Sequence, residues 1–347
     1  HQEKYDNSGI QIGSPAQEVN RALICLDVTE EVLSEAIERK CDLIICHHPL
    51  IFNGIKKLTA AGSTEKIIME AIRQGIAIVA AHTNLDNVHY GVNHQLAAVI
   101  GLQKVKILKP AGGILKKLVT FCPTEHADKV RTAIFKAGAG QIGDYDCCSY
   151  NLEGKGSFRA GENTNPFTGN VNELHFEPEV RIETIFPAYL QSAVLEAMIA
   201  GHPYEEVAYD IYPLDNAHDR VGSGMIGVFN EPMPEKAFLE HVKNCLNIPV
   251  LRHSAFTGNL IANVAICGGS GSFLLNDALK AGAHAFLTGD VKYHSFFDAD
   301  GRTLLVDAGH YETEQFTKEL LHSQIKKKIT NFALLISEAG KNPVHYY

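Results

Sequence analysis

The chain has 347 residues, 45% of them hydrophobic and 20% charged, which is typical of a globular protein with two or three domains. Its formal net charge of −9 argues against non-specific nucleic-acid binding, because such binding needs a basic surface that neutralises phosphates. No apolar run approaches the roughly 20 residues that cross a bilayer, and no signal peptide is recognisable. We therefore expect a cytoplasmic protein with no membrane partner. Its eight cysteines form no Cys-x-x-Cys pair, which favours reduced thiols over a disulfide framework.

The first third of the chain predicts alternating strands and helices. Turn residues at Asp6-Asn7-Ser8-Gly9 lead into a short strand. Further strands are predicted at 21–26, 43–46 and 76–81, and helices at 30–40, 64–74 and about 91–100. Asp27 or Thr29 is the expected N-cap of the first helix, and Gly75 ends the second, whose inward residues are predicted as Ile67, Ile68, Ala71 and Ile72. This alternation predicts a doubly wound, mainly parallel sheet with its ligands beyond the carboxyl ends of the strands.

The middle of the chain breaks this pattern. Lys109 to Gly113 is turn-rich and is expected to be a linker. Strands are then predicted at 115–122, 146–152, 158–160, 173–183 and 206–213, with helices at 124–137 and 187–200. The order β-α-β-β-α-β is typical of a ferredoxin-like module of about a hundred residues. We therefore predict a core lobe at 1–113, an inserted α+β domain at 114–216 and a second core lobe at 217–347.

The last third resembles the first, which indicates an internal repeat. Cys25 aligns with Cys267 at an offset of 242, and the same offset places His48 on Asp290. A later strand repeats at an offset of 228, which aligns His82 with His310 and Asp86 with Glu314. Two related lobes that face each other would bring four polar strand ends into one cleft.

A His-His pair marks the end of the third predicted strand. His47 and His48 follow the apolar run Leu43 to Cys46, and Pro49 turns the chain out of the sheet. Adjacent residues of an extended chain point to opposite sides, so the two histidines suit two neighbouring metal ions better than one. In isolation, the simpler interpretation is a pair of polar residues that cap a strand.

Other polar residues at the predicted strand ends strengthen the metal interpretation. His310 and Glu314 are four residues apart in a helical segment, so their side chains share one face. Separately, they would be read as an exposed i,i+4 pair, and Asp86 as an N-cap or an Asx turn. Together, the residues His47, His48, Asp86, His310 and Glu314 form a suitable ligand set for two borderline divalent ions: zinc, or alternatively iron or manganese.

These motifs together resemble one known family. The matching motifs are Asp6-Asn7-Ser8-Gly9, His47-His48-Pro49, His82-Thr83-Asn84-Leu85-Asp86, Gly289-Asp290-Val291-Lys292-Tyr293-His294 and Asp307-Ala308-Gly309-His310-Tyr311-Glu312-Thr313-Glu314. The chain is similar to the Ngg-interacting-factor-three-like proteins, known as GTP cyclohydrolase 1 type 2 homologues, in a long form whose insert resembles PII and CutA. The resemblance implies a homohexamer, a dinuclear metal centre held by the five residues above, and opening of the purine ring of GTP.

Two classes of function remain open from the sequence. The first is a metal-dependent hydrolase that acts on a nucleotide-like C–N or phosphoester bond of a small-molecule substrate, with His294, Asp290 and His82 as candidates for proton transfer or for support of the ligands. These three residues lie at strand ends, where structural hydrogen bonding is an equally good interpretation. The second is a metal-binding or metabolite-sensing scaffold without turnover, which the PII/CutA-like insert and the lack of a clear substrate-pocket signature favour.

Overall fold

The computed structural model describes residues 2–347, which form two compact units. The core unit joins the chain up to Pro110 with Arg220–Tyr347, and the insert unit comprises Ala111–Asp219. No helix between residues 2 and 347 has the length and apolar composition needed to span a bilayer.

The secondary structure follows the predicted alternation of strands and helices. The strands β1 to β15 are, in chain order, Gly9–Ile12, Arg21–Cys25, Leu43–Cys46, Ala77–Ala80, Gln103–Ala111, Leu115–Pro123, Tyr150–Arg159, Leu174–Pro187, Tyr209–Leu214, His218–Pro234, Arg252–His253, Leu260–Ser270, Ala285–Gly289, Leu304–Asp307 and Ala333–Ile336. The helices α1 to α11 are Glu30–Glu38, Ser63–Gln74, Thr83–Asp86, Val92–Ile100, Ala127–Lys136, Gln191–Gly201, Glu235–Leu246, Leu275–Lys280, Ser295–Asp298, His310–Glu314 and Thr317–Lys328. Short 3₁₀ turns occur at Thr124–His126, Ala188–Leu190 and Ser272–Leu274.

The core unit contains two sheets, which confirms the predicted doubly wound α/β fold. The first sheet has the order β1-β4-β3-β2-β15 and is parallel except for β1. The second has the order β11-β14-β13-β12-β10-β5, with β12, β13 and β14 parallel. Register pairs Cys25 with Cys46 and Cys46 with Ala80, so these three strands end at the same edge of the sheet.

The two halves of the core unit exchange elements. Helix α4 comes from the first half of the sequence but packs against β12 of the second sheet. Helix α11 and strand β15 come from the last part of the chain, yet both pack against β2 of the first sheet. This exchange buries apolar side chains from both halves together and fixes the position of one sheet edge relative to the other.

Several local predictions need correction. Ile72 is exposed rather than inward, because the buried face of α2 is already filled by Ile67, Ile68 and Ala71. The predicted linker at 109–113 is in part strand, since β5 runs to Ala111 as an edge strand beside β10. The predicted strands at 146–152 and 158–160 are one strand, β7.

The insert unit has the predicted ferredoxin-like topology. Its four-stranded antiparallel sheet has the order β7-β8-β6-β9, and helices α5 and α6 pack against each other. Buried apolar residues of the helices and strands form a core of its own, including Leu118, Val130, Ile182 and Met198. Leu115 and Leu214 are paired across β6 and β9, so the two ends of the unit are adjacent.

These adjacent ends predict that the insert can be removed. We expect replacement of residues 114–213 by a short Gly/Ser linker to leave a folded core unit, because closing a short gap costs little conformational entropy. Circular dichroism should show a cooperative thermal transition in the deletion variant. Aggregation of the deletion variant under conditions in which the full-length chain stays folded would contradict this prediction.

Glu35 connects helix α1 to the chain after β15. Its carboxylate accepts hydrogen bonds from the Ser337 hydroxyl at 2.6 Å and from the backbone N–H groups of Glu338 and Ala339 at 3.1–3.2 Å. Arg39 adds an ion pair at 2.7 Å. Although burial opposes ionisation, these donors lower the pKa of Glu35 to about 2.

We therefore predict that Glu35→Gln destabilises the protein by about 1–2 kcal/mol at pH 7, as expected for a lost charge-assisted hydrogen-bond network. The carboxylate contributes stability above its unfolded-state pKa near 4.5 and loses it as the pH falls through about 2, so the gap between the variant and the wild type should shrink over that range. Urea unfolding at pH 7 and at pH 3 measures this gap. Glu38→Gln, an exposed change on the same helix, is the control; a pH-independent gap would be the contrary result.

Candidate metal centre

The first set of polar residues follows strands β3 and β4. His47 and His48 come directly after β3, and the His48 N–H donates to the Leu26 carbonyl at 3.0 Å, which extends the strand pairing. The chain after β4 passes His82 and enters the short helix α3, which ends at Asp86. Since β3 and β4 are parallel neighbours, these residues meet at one sheet edge.

The second set follows strand β14. Helix α10 begins at His310, three residues beyond β14, and ends at Glu314. Helical spacing places both side chains on the same face, as predicted. Helix α10 packs against β12 and β13, and this packing brings Glu314 to the edge where the first set lies.

The structure brings the five predicted ligand residues into one group, which we call the His–carboxylate cluster: His47, His48, Asp86, His310 and Glu314. Glu314 lies at its centre. One of its oxygens, Oε2, is 3.0 Å from His48 Nε2 and 3.1 Å from His310 Nε2. The other, Oε1, is 3.7 Å from His47 Nε2, which is 3.5 Å from Asp86 Oδ1.

Two atoms of the cluster are buried without a hydrogen-bond partner among residues 2–347: His47 Nε2 and Asp86 Oδ1. His47 is fully buried, and its Nδ1–H donates to the Ala81 carbonyl at 2.7 Å, so Nε2 is the ring nitrogen that faces the cluster. Leaving two buried polar atoms unpaired costs free energy unless something else binds them. Both atoms point to the place where a cation would be held.

The other histidines of the cluster are also oriented by a second contact. His48 Nδ1 lies 2.7 Å from Asp27 Oδ1, and His310 Nδ1 lies 2.6 Å from Asp290 Oδ2. A carboxylate on one ring nitrogen turns the opposite nitrogen inward and raises its basicity, as in many carboxylate–histidine–metal arrangements. Asp290, predicted as a catalytic or supporting residue, is therefore positioned to orient His310.

The carboxylates set the protonation of the cluster. Burial lowers the pKa of a histidine, but hydrogen bonds to Asp27 and Glu314 outweigh it and raise the pKa of His48 to about 10. Glu314 and Asp290 similarly raise the pKa of His310 to about 9. Burial raises the pKa of Asp86 to about 7, whereas the surrounding histidines hold the pKa of Glu314 well below its usual range. Protons thus occupy the positions for which a cation would compete.

The other two predicted catalytic residues have different surroundings. The His82 ring lies 5.3 Å from the His47 ring and 5.5 Å from the His48 ring, and its Nδ1 is 2.7 Å from Asp6 Oδ1. Asp6 is fixed in turn by the backbone N–H and the hydroxyl of Thr83. His294 is exposed beside Tyr293 and Phe297, and the structure does not bring it into the cluster.

The sequence analysis missed one element of the site, the glycine loop at the end of β12. Gly269 has a φ of +60°, and a Cβ on this residue would lie 2.3 Å from Glu314 Oε1. Its N–H donates to the Thr313 hydroxyl at 3.0 Å, which anchors α10. The run Gly268-Gly269-Ser270-Gly271 after an apolar strand was a usable signal, because consecutive glycines often mark a close backbone approach. Asp27 was also assigned differently, since Thr29 alone caps α1 and Asp27 contacts His48.

The cluster opens into a cavity of about 1010 Å³ within the core unit. His48, His82, Asp86, His310 and Glu314 line it, together with the exposed aromatic side chains of Tyr5, Phe52 and Phe273. The volume admits a small molecule of nucleoside size or larger.

Comparison with known proteins identifies the family of this chain. The family model described as Duf34/NIF3 (NGG1p interacting factor 3) matches residues 1–343. The chain belongs to the Duf34/NIF3 family. Curated relatives named "GTP cyclohydrolase 1 type 2 homolog" from Bacillus subtilis and Halalkalibacterium halodurans are 39% and 40% identical over 97% of this chain and 92% of their own length.

Solved structures of similar proteins show the same fold. A Bacillus cereus protein related to NIF3 is 41% identical and matches with a TM-score of 0.88, covering all of this chain and 94% of its own. A Staphylococcus aureus protein is 31% identical with a TM-score of 0.77, covering 99% and 93%. The family resemblance stated from the sequence is therefore confirmed.

The close approach at Gly269 yields a prediction. Gly269→Ala should displace the Glu314 carboxylate and lower the divalent-metal content of purified protein at least severalfold, because a methyl group cannot occupy the same space as Oε1. Mass spectrometry of acid-digested protein measures the metal.

Gly282→Ala is the matched control for this variant. Gly282 has a φ of +71° in the same part of the chain, but a Cβ there has no atom within 4 Å. Both variants should therefore bear a similar backbone strain of about 1–2 kcal/mol. Equal metal content in the two variants would show that strain, rather than contact with Glu314, explains any loss.

Proposed function

We propose that the His–carboxylate cluster would hold two divalent metal ions, one in each of two ligand sets that share Glu314. The observation that carries this proposal is the sharing of Glu314 by two ligand sets, one with His48 and His310 and the other with His47 and Asp86. In each set the ligand atoms lie within 4.8 Å of one another. The two carboxylate oxygens of Glu314 face different sets: Oε2 lies near His48 and His310, and Oε1 lies near His47.

The donor chemistry fits a pair of borderline divalent ions. Three imidazoles and two carboxylates suit zinc, and they also suit iron or manganese. The unpartnered His47 Nε2 and Asp86 Oδ1 support the fit, since a cation would satisfy both. We take zinc as the first candidate.

We further propose that the protein is a metal-dependent hydrolase. When bound, two such ions acidify a water molecule and polarise the group that it attacks. Hydrolysis at this site would add water across the scissile bond: the water oxygen would bond to an electrophilic carbon or phosphorus, the bond to the leaving atom would break, and one proton of the water would pass to the leaving group.

His82 is the candidate that can move this proton. Asp6 fixes its Nδ1, so its Nε2 is available on the side of the cluster. Burial lowers the pKa of His82, which keeps the ring neutral and able to accept a proton. Asp290 acts through His310 as a positioning residue, and His294 stays a prediction from the sequence.

The name of the curated relatives, GTP cyclohydrolase 1 type 2 homolog, favours a nucleotide-like substrate with a hydrolysable C–N or phosphoester bond. We also propose a homohexamer, as the family resemblance implies, and a cytoplasmic location, as the reduced cysteines predict. Light scattering coupled to size-exclusion chromatography tests the assembly, and a mass other than six chains would reject it.

A second candidate function is metabolite sensing without turnover. The insert unit favours it, because this unit has its own cavity of about 660 Å³. Phe158, Phe167 and Tyr204 line that cavity beside Glu179, whose carboxylate accepts a hydrogen bond from the Tyr204 hydroxyl at 2.9 Å. Metabolite binding without metal-dependent turnover across a substrate panel would support this alternative.

Metal stoichiometry tests the bridging role of Glu314. We expect about two zinc ions per wild-type chain, about one in Asp86→Asn and close to none in Glu314→Gln, because only Glu314 belongs to both ligand sets. His294→Ala, an exposed histidine outside the cluster, should keep both ions and is the control. One remaining ion in Glu314→Gln would reject the bridge.

Turnover is tested separately with metal-loaded protein and a panel of nucleotides, nucleosides and nucleobases. The expected result is hydrolysis that falls at least a hundredfold in Asp86→Asn and Glu314→Gln, as is usual for groups that hold the reacting centre. Hydrolysis that survives in both variants would indicate a contaminating enzyme or another site.

A further inference from the structure

The charged residues of the metal cavity bear on its substrate. Seven carboxylates line this cavity: Asp86 and Glu314 of the cluster, and also Glu3, Asp27, Asp290, Asp307 and Glu312. Arg252 is the only lysine or arginine that lines it among the described residues. The carboxylates therefore outnumber the basic side chains of the cavity even when His48, His82 and His310 are counted with Arg252, and this holds without any assumption about metal.

Arg252 is not free to bind a phosphate. Its guanidinium forms an ion pair with Asp307 and donates to the Val291 carbonyl at 3.0 Å. Asp307 in turn accepts hydrogen bonds from the N–H groups of Val291 and Gly309, both at 3.0 Å. The single arginine of the cavity thus has structural partners on the cavity wall.

Two divalent ions would supply four positive charges, fewer than the carboxylates supply in negative charge. A group bound directly to the ions could be anionic, but a chain of further phosphates would lie against Asp27, Asp290 or Glu312. Like charges in a partly enclosed cavity repel more strongly than in bulk water. No glycine-rich phosphate loop compensates for this repulsion, since Gly268 and Gly269 donate their N–H groups to Asn93 and Thr313.

The uncharged part of the cavity is apolar and aromatic. Tyr5, Phe52 and Phe273 are 66%, 46% and 60% exposed and line the same cavity, and the Tyr5 and Phe52 rings lie 6.5 Å apart. Exposed rings at the mouth of a site are suited to contact the face of a planar ring.

We infer that this cavity selects an uncharged or cationic ring compound, such as a nucleobase or a nucleoside, and disfavours a nucleoside triphosphate. The inference rests on the proposed metal-dependent function, because it names the class of substrate for that site. The inferred substrate therefore differs in charge from GTP, the nucleotide in the name of the curated relatives.

The potential of the cavity can be measured without a substrate. The chain has no tryptophan, so Phe273→Trp places a single fluorophore in the cavity, and Phe297→Trp places one on an exposed surface outside it. Quenching by caesium, iodide and acrylamide is then compared at low ionic strength. We expect the caesium-to-iodide ratio of quenching constants to be about threefold or more higher at position 273, since a few net charges change local ion concentrations by at least this factor.

Charge-matched variants identify the source of this potential. Glu3→Gln removes a cavity carboxylate, whereas Glu38→Gln removes an exposed one on α1. When each is combined with Phe273→Trp, only Glu3→Gln should lower the caesium-to-iodide ratio. A ratio that is similar at positions 273 and 297, or that does not respond to Glu3→Gln, would overturn the inference.

Ligand binding tests selectivity directly. Guanosine, GMP and GTP are each dialysed against zinc-loaded protein, with zinc measured in the same samples because triphosphates chelate it. We expect affinity to fall at least tenfold from guanosine to GTP, and GTP binding to strengthen as salt screens the repulsion. Tighter binding of GTP than of guanosine would overturn the inference.

The outcomes separate the inference from the proposed function. If zinc does not bind, or if no compound is turned over, the proposed function is rejected. The quenching ratio then still measures the electrostatic potential of the cavity and tests the inference on its own. If none of the three ligands binds, the quenching ratio decides alone, and a value below threefold rejects the inference. Preferential binding of GTP to fully loaded protein would reject the inference while the metal site stands.

Discussion

The buried carboxylate of Glu314 is the constraint on which the site depends. It is only 4% exposed, and an isolated charge at that depth would be prohibitively costly. Three histidine rings surround it, and its two oxygens face different histidines. Such a carboxylate needs positive charge on both sides, from protons or from cations. Removing one partner would leave an uncompensated buried charge, which explains why residues from distant parts of the chain must meet there.

Packing of the core unit holds these partners together. His47, His48 and Asp86 follow strands of the first sheet, while His310 and Glu314 follow a strand of the second. Helix α4 packs on the second sheet although it comes from the first half, and β15 returns from the end of the chain to the first sheet. Because these exchanged elements pack in one shared core, they hold the two sheet edges next to each other.

Acidity has two roles in this cavity. Asp27 and Asp290 hold the outer nitrogens of His48 and His310, and so orient the rings. The same carboxylates, with Glu3 and Glu312, make the surroundings negative while the mouth stays aromatic. The carboxylates that orient the histidines of a metal centre can therefore also restrict the charge of the molecule that reaches it. Orientation of the histidines and selectivity for the substrate then depend on the same side chains.

The sequence by itself determined the alternation of strands and helices, the ferredoxin-like order of the insert and the five residues of the cluster. These follow from local patterns: apolar runs that end in polar residues, and the i,i+4 spacing of His310 and Glu314. Periodicity misplaced Ile72, because a helix with four apolar residues on adjacent positions does not reveal which three its neighbours cover. It also missed β15, a four-residue strand that forms only because β2 offers it a partner edge.

Tertiary structure alone decided how the ends of the two sheets meet. The contact of Asp27 with His48, across 21 positions of the sequence, and that of Gly269 with Glu314 depend on how helices pack between sheets, which no local pattern records. The same holds for the unpartnered His47 Nε2 and for the acidic lining of the cavity. The sequence specifies which side chains carry charge. Their burial and their neighbours depend on the packing of segments that are distant in the sequence, because only this packing removes them from water.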